Sequence, residues 1–336
     1  MEQLGRRVAV TGATGFIGRR LCHRVTRSGG QVVAVVRGRS DRSVLDGCPV
    51  RFATVDLERG HGLAEALAGV DAVVHLAAAV RARSRARFET GNVHTTRALL
   101  EAVAHLDTPP RVVLCSSLAA AGPSAPGRPR REEDPAAPVS RYGRSKLAAE
   151  QVARGFAGRV PLVVVRPPIV YGPGDPAFLP SLLAMARTGV ALQPGSGETT
   201  YSLLHVDDLC EGLLAAAVTG GTAHPADPHS GLYQLSDGRE HVFADLVRAA
   251  GSALRRRPVR VLRVPAPLVR AAGALAEAAT LPFGKVPPFN RDKAREAVWP
   301  AWTASPERAR RELGFAHRVE FEDGLRAAVA ETTPRS

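Results

Sequence analysis

Over its first half the chain alternates short valine-rich apolar runs with longer stretches of helical periodicity. "RVAVTG" (7–12), "QVVAVVR" (31–37), "VRFATVD" (50–56), "DAVVHLAAA" (71–79), "RVVLCSS" (111–117) and "PLVVVRPP" (161–168) read as strands. Between them the pattern predicts helices over 15–28, 90–106 and 140–157, with a short helix before the fourth strand. The strands are almost continuously apolar rather than alternating, as expected where both faces of a parallel sheet are covered. Regular strand–helix alternation of this kind predicts a doubly wound α/β sheet.

Beyond about residue 175 prolines multiply, helices become alanine-rich and strands grow sparse. The exception is "TYSLLHVDDLCEGLLAAA" (200–217), a strand leading into a capped helix. The expected organisation is a Rossmann-type domain over 1–175, joined by return segments at about 200–235. A smaller, mainly helical substrate-binding lobe then takes 176–199 and 236–336. "VPAPLVRAAGALAEAATLPFG" (264–284) is the longest near-apolar stretch, interrupted by Arg270 and Glu277. It reads as an amphipathic helix packed on its own lobe, with membrane contact as the other reading.

Composition narrows the function classes. A chain of 336 residues with 45% hydrophobic and 23% charged residues suits a globular protein with a full core. The four cysteines, Cys22, Cys48, Cys115 and Cys210, are far apart in sequence and read as buried thiols in a reducing compartment. With a strand starting at residue 7 and no run of bilayer-spanning length, a cytoplasmic location without a membrane span is expected. Net charge is +13, but the arginines are spread along the chain, aromatics make up 5%, and no nucleic-acid motif appears. Nucleic acid is therefore not the expected partner. The densest basic cluster, "VRARSRARFE" (80–89), would favour anionic ligands at the rim of a site.

The first specific chemistry lies in "TGATGFIG" (11–18), between the first strand and the first helix. Gly12 permits a tight turn, Gly15 lets backbone approach a pyrophosphate, and Gly18 lets the helix lie close to the sheet. With Thr14, Phe16 and Ile17 they form a dinucleotide-binding loop at a helix N-terminus. The second strand ends "VVRGRSDR", placing Arg37 where a ribose-binding carboxylate commonly stands. An arginine there pairs with a 2′-phosphate, so NADP(H) is expected over NAD(H).

The second lies in "RYGRSK" (141–146). Only three of the 45 basic residues are lysines, at 146, 285 and 293, and Lys146 stands four residues after Tyr142 on one helix face. Tyrosine titrates near pH ~10, so poising it near neutrality takes about 4 kcal/mol of preferential phenolate stabilisation. A nearby ammonium and a cationic oxidised nicotinamide are suited to that task. Ser117 ends the fifth strand and reads either as a plain cap or as a group holding the substrate oxygen beside the tyrosine.

With "DL" (56–57), "HLAA" (75–78), Asn92, "SS" (116–117), "RPPIVYGPGD" (166–175) and "HVDDL" (205–209), these motifs follow a recognisable order. The chain resembles an extended short-chain dehydrogenase/reductase of the NAD-dependent epimerase/dehydratase family. The resemblance implies Ser117, Tyr142 and Lys146 as the catalytic set, with Tyr142 and Lys146 also touching cofactor. It implies Asp56 and Leu57 at the adenine, Leu76, Ala77 and Ala78 along the cofactor, and Pro167, Ile169 and Val170 near the nicotinamide. It assigns His205 to Asp208 to the fold, implies no metal, and points to a homodimer through the helices at 90–106 and 140–157.

Two departures bear on the substrate. Sugar-nucleotide members often carry an asparagine just before "VYG" and an arginine four residues before the "HVDD" histidine; here these positions hold Ile169 and Tyr201. No acidic residue stands in "CSSLAAAG" beside the serine, unlike the dehydratases. The pattern is similar to dihydroflavonol-reductase-like and 3β-hydroxysteroid-dehydrogenase-like members. It implies ketone–alcohol hydride chemistry on a small molecule. The alternatives are a nucleotide-sugar epimerase or dehydratase with tightly bound NAD, and a cofactor-sensing regulator.

Overall fold

The computed structural model describes residues 7–195, 197–254, 258–280 and 286–332. Residues 281–284 of the near-apolar stretch lie outside them. Six strands form first: β1 (Arg7–Thr11), β2 (Gln31–Val36), β3 (Val50–Thr54), β4 (Ala72–His75), β5 (Arg111–Cys115) and β6 (Leu162–Arg166). They are interleaved with α1 (Phe16–Arg27), α2 (Leu63–Leu67), α3 (Arg85–Phe88), α4 (Thr95–Ala104), α5 (Leu118–Ala121) and α6 (Arg141–Arg154).

All neighbouring strands of the main sheet run parallel, in the order β3-β2-β1-β4-β5-β6. The continuous valines are explained by burial on two sides. In β2, Val32, Ala34 and Val36 enter one apolar layer with Leu21 and Val25 of α1. Val33 and Val35 enter the other with Leu63, Leu67, Leu99 and Val103.

The later elements are β7 (Ile169–Tyr171), α7 (Phe178–Thr188), β8 (Val190–Pro194), β9 (Thr200–Tyr201), β10 (Leu203–His205) and α8 (Val206–Val218). After them come β11 (Leu232–Gln234), β12 (His241–Val242), α9 (Phe243–Ala253), β13 (Arg260–Val264) and α10 (Ala266–Thr280). The chain closes with α11 (Arg291–Ala297), β14 (Ala301–Trp302), α12 (Glu307–Leu313) and α13 (Phe321–Thr332). Helix α8 joins the α1 layer, and β11 adds a seventh parallel strand beside β6.

Three local expectations change. The helix expected over 90–106 begins as a π-helical turn at Glu89–His94, before regular helix resumes at Thr95. The fourth strand leaves the sheet after His75, so Leu76–Ala79 are non-strand residues at its carboxyl edge. From β7 onward, strands are more numerous than the pattern indicates: β7–β10, β8–β13 and β12–β9–β14 form three small sheets. Most of these strands span two or three residues, too few to establish a period of two.

Candidate active site

The carboxyl edge of the sheet gathers most of the expected residues. The glycine loop follows β1, Arg37 follows β2, Asp56 and Leu57 follow β3, and Leu76–Ala78 follow β4. Ser117 follows β5, and Pro167 with Ile169 and Val170 follows β6. Strand order reverses between β1 and β4, and ligands of open α/β sheets bind at such a crevice.

Gly12 adopts φ +67°, and a Cβ on it would meet Ala77 N at 2.9 Å, so the turn and the β4 exit close on one another. On Gly18 a Cβ would lie 2.1 Å from Gly12 O, which requires glycine for α1 to approach the loop. At Gly15 a Cβ would meet only Gly12 O, at 3.2 Å. Gly15 is also the N-cap of α1; it provides no side-chain cap, and the first turn holds no carboxylate. Bare N–H groups at a glycine cradle fit a pyrophosphate, so this site suits a dinucleotide.

Arg37 is exposed; its backbone N–H donates to Ser40 Oγ at 3.1 Å, and its guanidinium has no partner among the described residues. Asp56 accepts from the backbone N–H groups of Glu58 and Arg59 at 3.0 and 3.1 Å, whereas the Leu57 side chain is buried in the apolar layer. Pro167 is buried, and Ile169 and Val170 are half-buried in β7.

His75 ends β4 within a closed hydroxyl chain. Thr96 Oγ1 donates to Asn92 O at 2.7 Å, so it accepts from His75 Nε2 at 3.2 Å. Thr11 Oγ1 accepts the Ala77 N–H at 3.1 Å and donates to His75 Nδ1 at 2.7 Å. The imidazole is therefore neutral; burial first, and the Lys146 ammonium second, push its pKa down to about 3.

Tyr142, Lys146 and Glu150 follow one another at i, i+4 and i+8 along α6. Ser117 caps α5 by accepting the Ala119 N–H at 3.1 Å, and its hydroxyl stands near enough to the Tyr142 phenol to act on that group's pKa. A Cβ on Gly143 would lie 2.3 Å from Ala119 O, so the glycine after the tyrosine lets α6 approach α5.

Lys146 is buried and donates from Nζ to Cys115 O at 2.7 Å. Burial pulls its pKa below the usual lysine range. In the chain alone, burial raises the Tyr142 pKa above the usual tyrosine value, the Ser117 hydroxyl works against that, and the Cys115 thiol and Glu296 carboxyl add to the rise. The lowering expected from sequence draws on an oxidised nicotinamide as well as on the Lys146 ammonium.

Asn92 belongs to the motif set read from the sequence; the Asp292, Ser140, Asn290 and Lys293 contacts around Tyr142 carry no signal there. Asn92, in the π-helical turn, accepts the Ala79 N–H at 2.6 Å and donates to Ser145 Oγ at 2.8 Å, tying the β4 exit to α6. Asp292 of α11 accepts the backbone N–H groups of Arg141 and Tyr142, at 2.7 and 2.9 Å. Ser140 accepts the Gly143 N–H at 2.9 Å, so the first turn of α6 is capped from both sides. Asn290 caps α11 in turn, accepting from Asp292 N and Lys293 N at 3.0 Å each. Lys293 Nζ stands 5.9 Å from the Tyr142 ring centroid and 2.7 Å from Glu296 Oε2.

Tyr142 lines a cleft together with Val80–Arg83, Phe88, Val286, Pro287 and Lys293. Tyr142 and Tyr201 both pack on a small apolar cluster of Leu118, Ala119, Ala121, Trp302 and Ala304. Of the two tryptophans, Trp302 is buried there and donates to Glu296 O at 3.0 Å, while Trp299 is exposed. His205 to Asp208 are engaged in the fold: Asp207 pairs with Arg20 at 2.6 and 2.9 Å, and Asp208 accepts the Arg318 and Val319 N–H groups.

The family model described as "NAD dependent epimerase/dehydratase family" matches residues 8–226. The chain belongs to that family. Members of this extended short-chain dehydrogenase/reductase type are NAD(P)-dependent oxidoreductases and epimerases, and this chain is an enzyme of that kind. It is 31% identical over 324 residues to a ceramide reductase of Caulobacter vibrioides, covering 94% of this chain and 93% of the relative. It is 32% identical over 333 residues to a 4-hydroxy-2-methyl-3-oxo-4-farnesyl-3,4-dihydroquinoline-1-oxide ketoreductase of Stigmatella aurantiaca, covering 96% and 95%. Among solved structures, MoeE5 in complex with UDP-glucuronic acid and NAD superposes with a TM-score of 0.75 at 27% identity, covering 97% of this chain and 98% of that one.

Proposed function

We propose that this family member is an NADP(H)-dependent oxidoreductase interconverting a ketone and a secondary alcohol. The observation that carries the reading is Tyr201. Where sugar-nucleotide members often hold a diphosphate-binding arginine, this chain has a phenol packed on the same apolar cluster as Tyr142. Two relatives with nearly full coverage are named as reductases, which supports the same direction.

The nicotinamide cofactor supplies or accepts the hydride. The α1 cradle would hold its pyrophosphate, Asp56, Leu76–Ala78 and Pro167–Val170 would line it, and Arg37 would pair with the 2′-phosphate. Ser117 orients the substrate oxygen beside Tyr142. A phenol that retains its proton is suited to give it to the oxygen of a ketone during reduction. Lys146 holds the floor of the site through Cys115 O and presents its charge to the cofactor side.

Incubation with NADPH and a panel of ketones, aldehydes and nucleotide sugars tests the reading. NADPH oxidation by ketones is expected. Sugar conversion without net cofactor change would show an epimerase, and neither outcome would point to a regulator. Arg37→Glu should weaken NADPH binding by roughly 10- to 100-fold, the range of a hydrogen bond to a charged group, while sparing NADH. Equal affinities of the native protein for both cofactors in a fluorescence titration would sink the NADP(H) assignment.

Asp292 positions Tyr142 through backbone alone. Asp292→Ala should lower turnover about tenfold by loosening the first turn of α6, with cofactor affinity retained. Asp292→Asn keeps an acceptor oxygen and should recover much of the loss. Unchanged turnover in the alanine variant would remove Asp292 from this role.

A further inference from the structure

Helix α10 is apolar on two sides. Its inner side packs on α11: Val269 and Gly273 are buried, and a Cβ on Gly273 would lie 2.7 Å from Ala294 Cβ. On the outer side, Leu268, Ala271, Ala272, Leu275 and Ala279 recur at i, i+3, i+4, i+7 and i+11 and are all exposed. Leu268 is 60% exposed and Leu275 71%, the highest value for a large apolar side chain among the described residues. Single exposed leucines are ordinary, but an unbroken apolar stripe marks a surface with a partner.

Three further features identify that partner. In the strand leading to α10, Leu262 is 51% exposed and stands in register with Leu192 of β8, 58% exposed. Arg260, Arg263 and Arg270 are exposed along the same segment, while the single acid of α10, Glu277, is half-buried and accepts the Arg291 N–H at 3.2 Å. Glu277 also lines the Tyr142 cleft, together with exposed Val80 and Arg81. Apolar side chains set among arginines, on a chain of net charge +13, complement an anionic lipid surface. A second copy docked face to face would instead set these arginines against their equivalents, with no exposed acid on α10 to offset them. Among the described residues no helix is long and apolar enough to cross a membrane, so the 15 described residues of α10 would lie in the interface.

We propose that the outer face of α10 docks this enzyme on an anionic lipid bilayer, with the cleft over Tyr142 opening beside the membrane surface. One consequence rests on the ketone-reductase reading: a substrate suited to such a site is a lipid-borne ketone. Docking itself is read without turnover, so the two proposals fail separately.

The test is flotation of the full chain with vesicles of phosphatidylcholine alone or mixed with phosphatidylglycerol. Native protein should float with the mixed vesicles at low salt, and less at high salt. L268S/L275S should partition about tenfold more weakly or worse, because each leucine contributes several buried methylene equivalents. Both side chains are exposed, so an unchanged melting temperature shows that the variant is folded. Absence of flotation, equal partition on neutral vesicles, or binding that the variant does not alter would each overturn the proposal. A dimer dissociated by the same variant, without vesicle binding, would assign the stripe to a second copy.

Discussion

Tyr142→Phe should bind NADPH as the native enzyme does and lose turnover by a factor of about 10²–10⁴, the usual contribution of a general acid. The substitution removes little else. A phenylalanine keeps the ring that packs on Leu118, Ala119 and Trp302, and the ring centroid 6.2 Å from that of Phe88. Helix α6 stays anchored because Asp292 holds the backbone N–H of residue 142 and not its side chain. The lost group is the hydroxyl on which Ser117 acts. Turnover near the native rate would refute the assignment. The direction of the Tyr142 shift adds a second readout. An acid whose pKa lies above the usual ~10 remains protonated through neutral pH, so turnover in reduction should not fall through loss of this proton until the medium is strongly alkaline.

Glu150→Ala should destabilise the fold by about 3–5 kcal/mol, the range for stripping one partner from a buried ion pair. Arg166 donates to Glu150 Oε1 and Oε2 at 2.9 and 2.6 Å, and the side chains are 5% and 3% exposed. Ser116 also donates to Glu150, so its hydroxyl would lose its acceptor as well. Without the carboxylate, a guanidinium is left in the interior with no counter-charge in place. Urea unfolding should show a lower midpoint at an unchanged slope. A loss below about 1 kcal/mol would mean that water or another group satisfies Arg166. Replacing both partners with apolar residues of similar volume should cost much less than removing one.

The parallel sheet was legible because its strands are valine-rich and apolar at most positions, which two-sided burial demands. β11 was not, since "LYQ" is three residues long and joins the sheet only through pairing with β6. The spacing of Tyr142 and Lys146 showed that they share a helix face, but not that Nζ would meet Cys115 O, 31 residues away. The lowered Tyr142 pKa expected from sequence drew on the Lys146 ammonium and an oxidised nicotinamide together; burial of the phenol, which acts in the opposite direction in the chain alone, has no signature in the local sequence. Asp292 was out of reach for a related reason. An aspartate in the first turn of a helix normally serves that helix, and nothing local shows that this one caps another 150 residues upstream. The periodicity of 264–284 likewise predicted a helix but not which of its apolar sides would be left uncovered.

The Asp292 tether also orders events during synthesis. On the ribosome the nucleotide cradle, the sheet through β6 and the tyrosine-bearing helix all emerge well before the carboxylate that anchors that helix. Until residue 292 has been made, Ser140 alone caps the first turn of α6, and the N–H groups of Arg141 and Tyr142 await their acceptor.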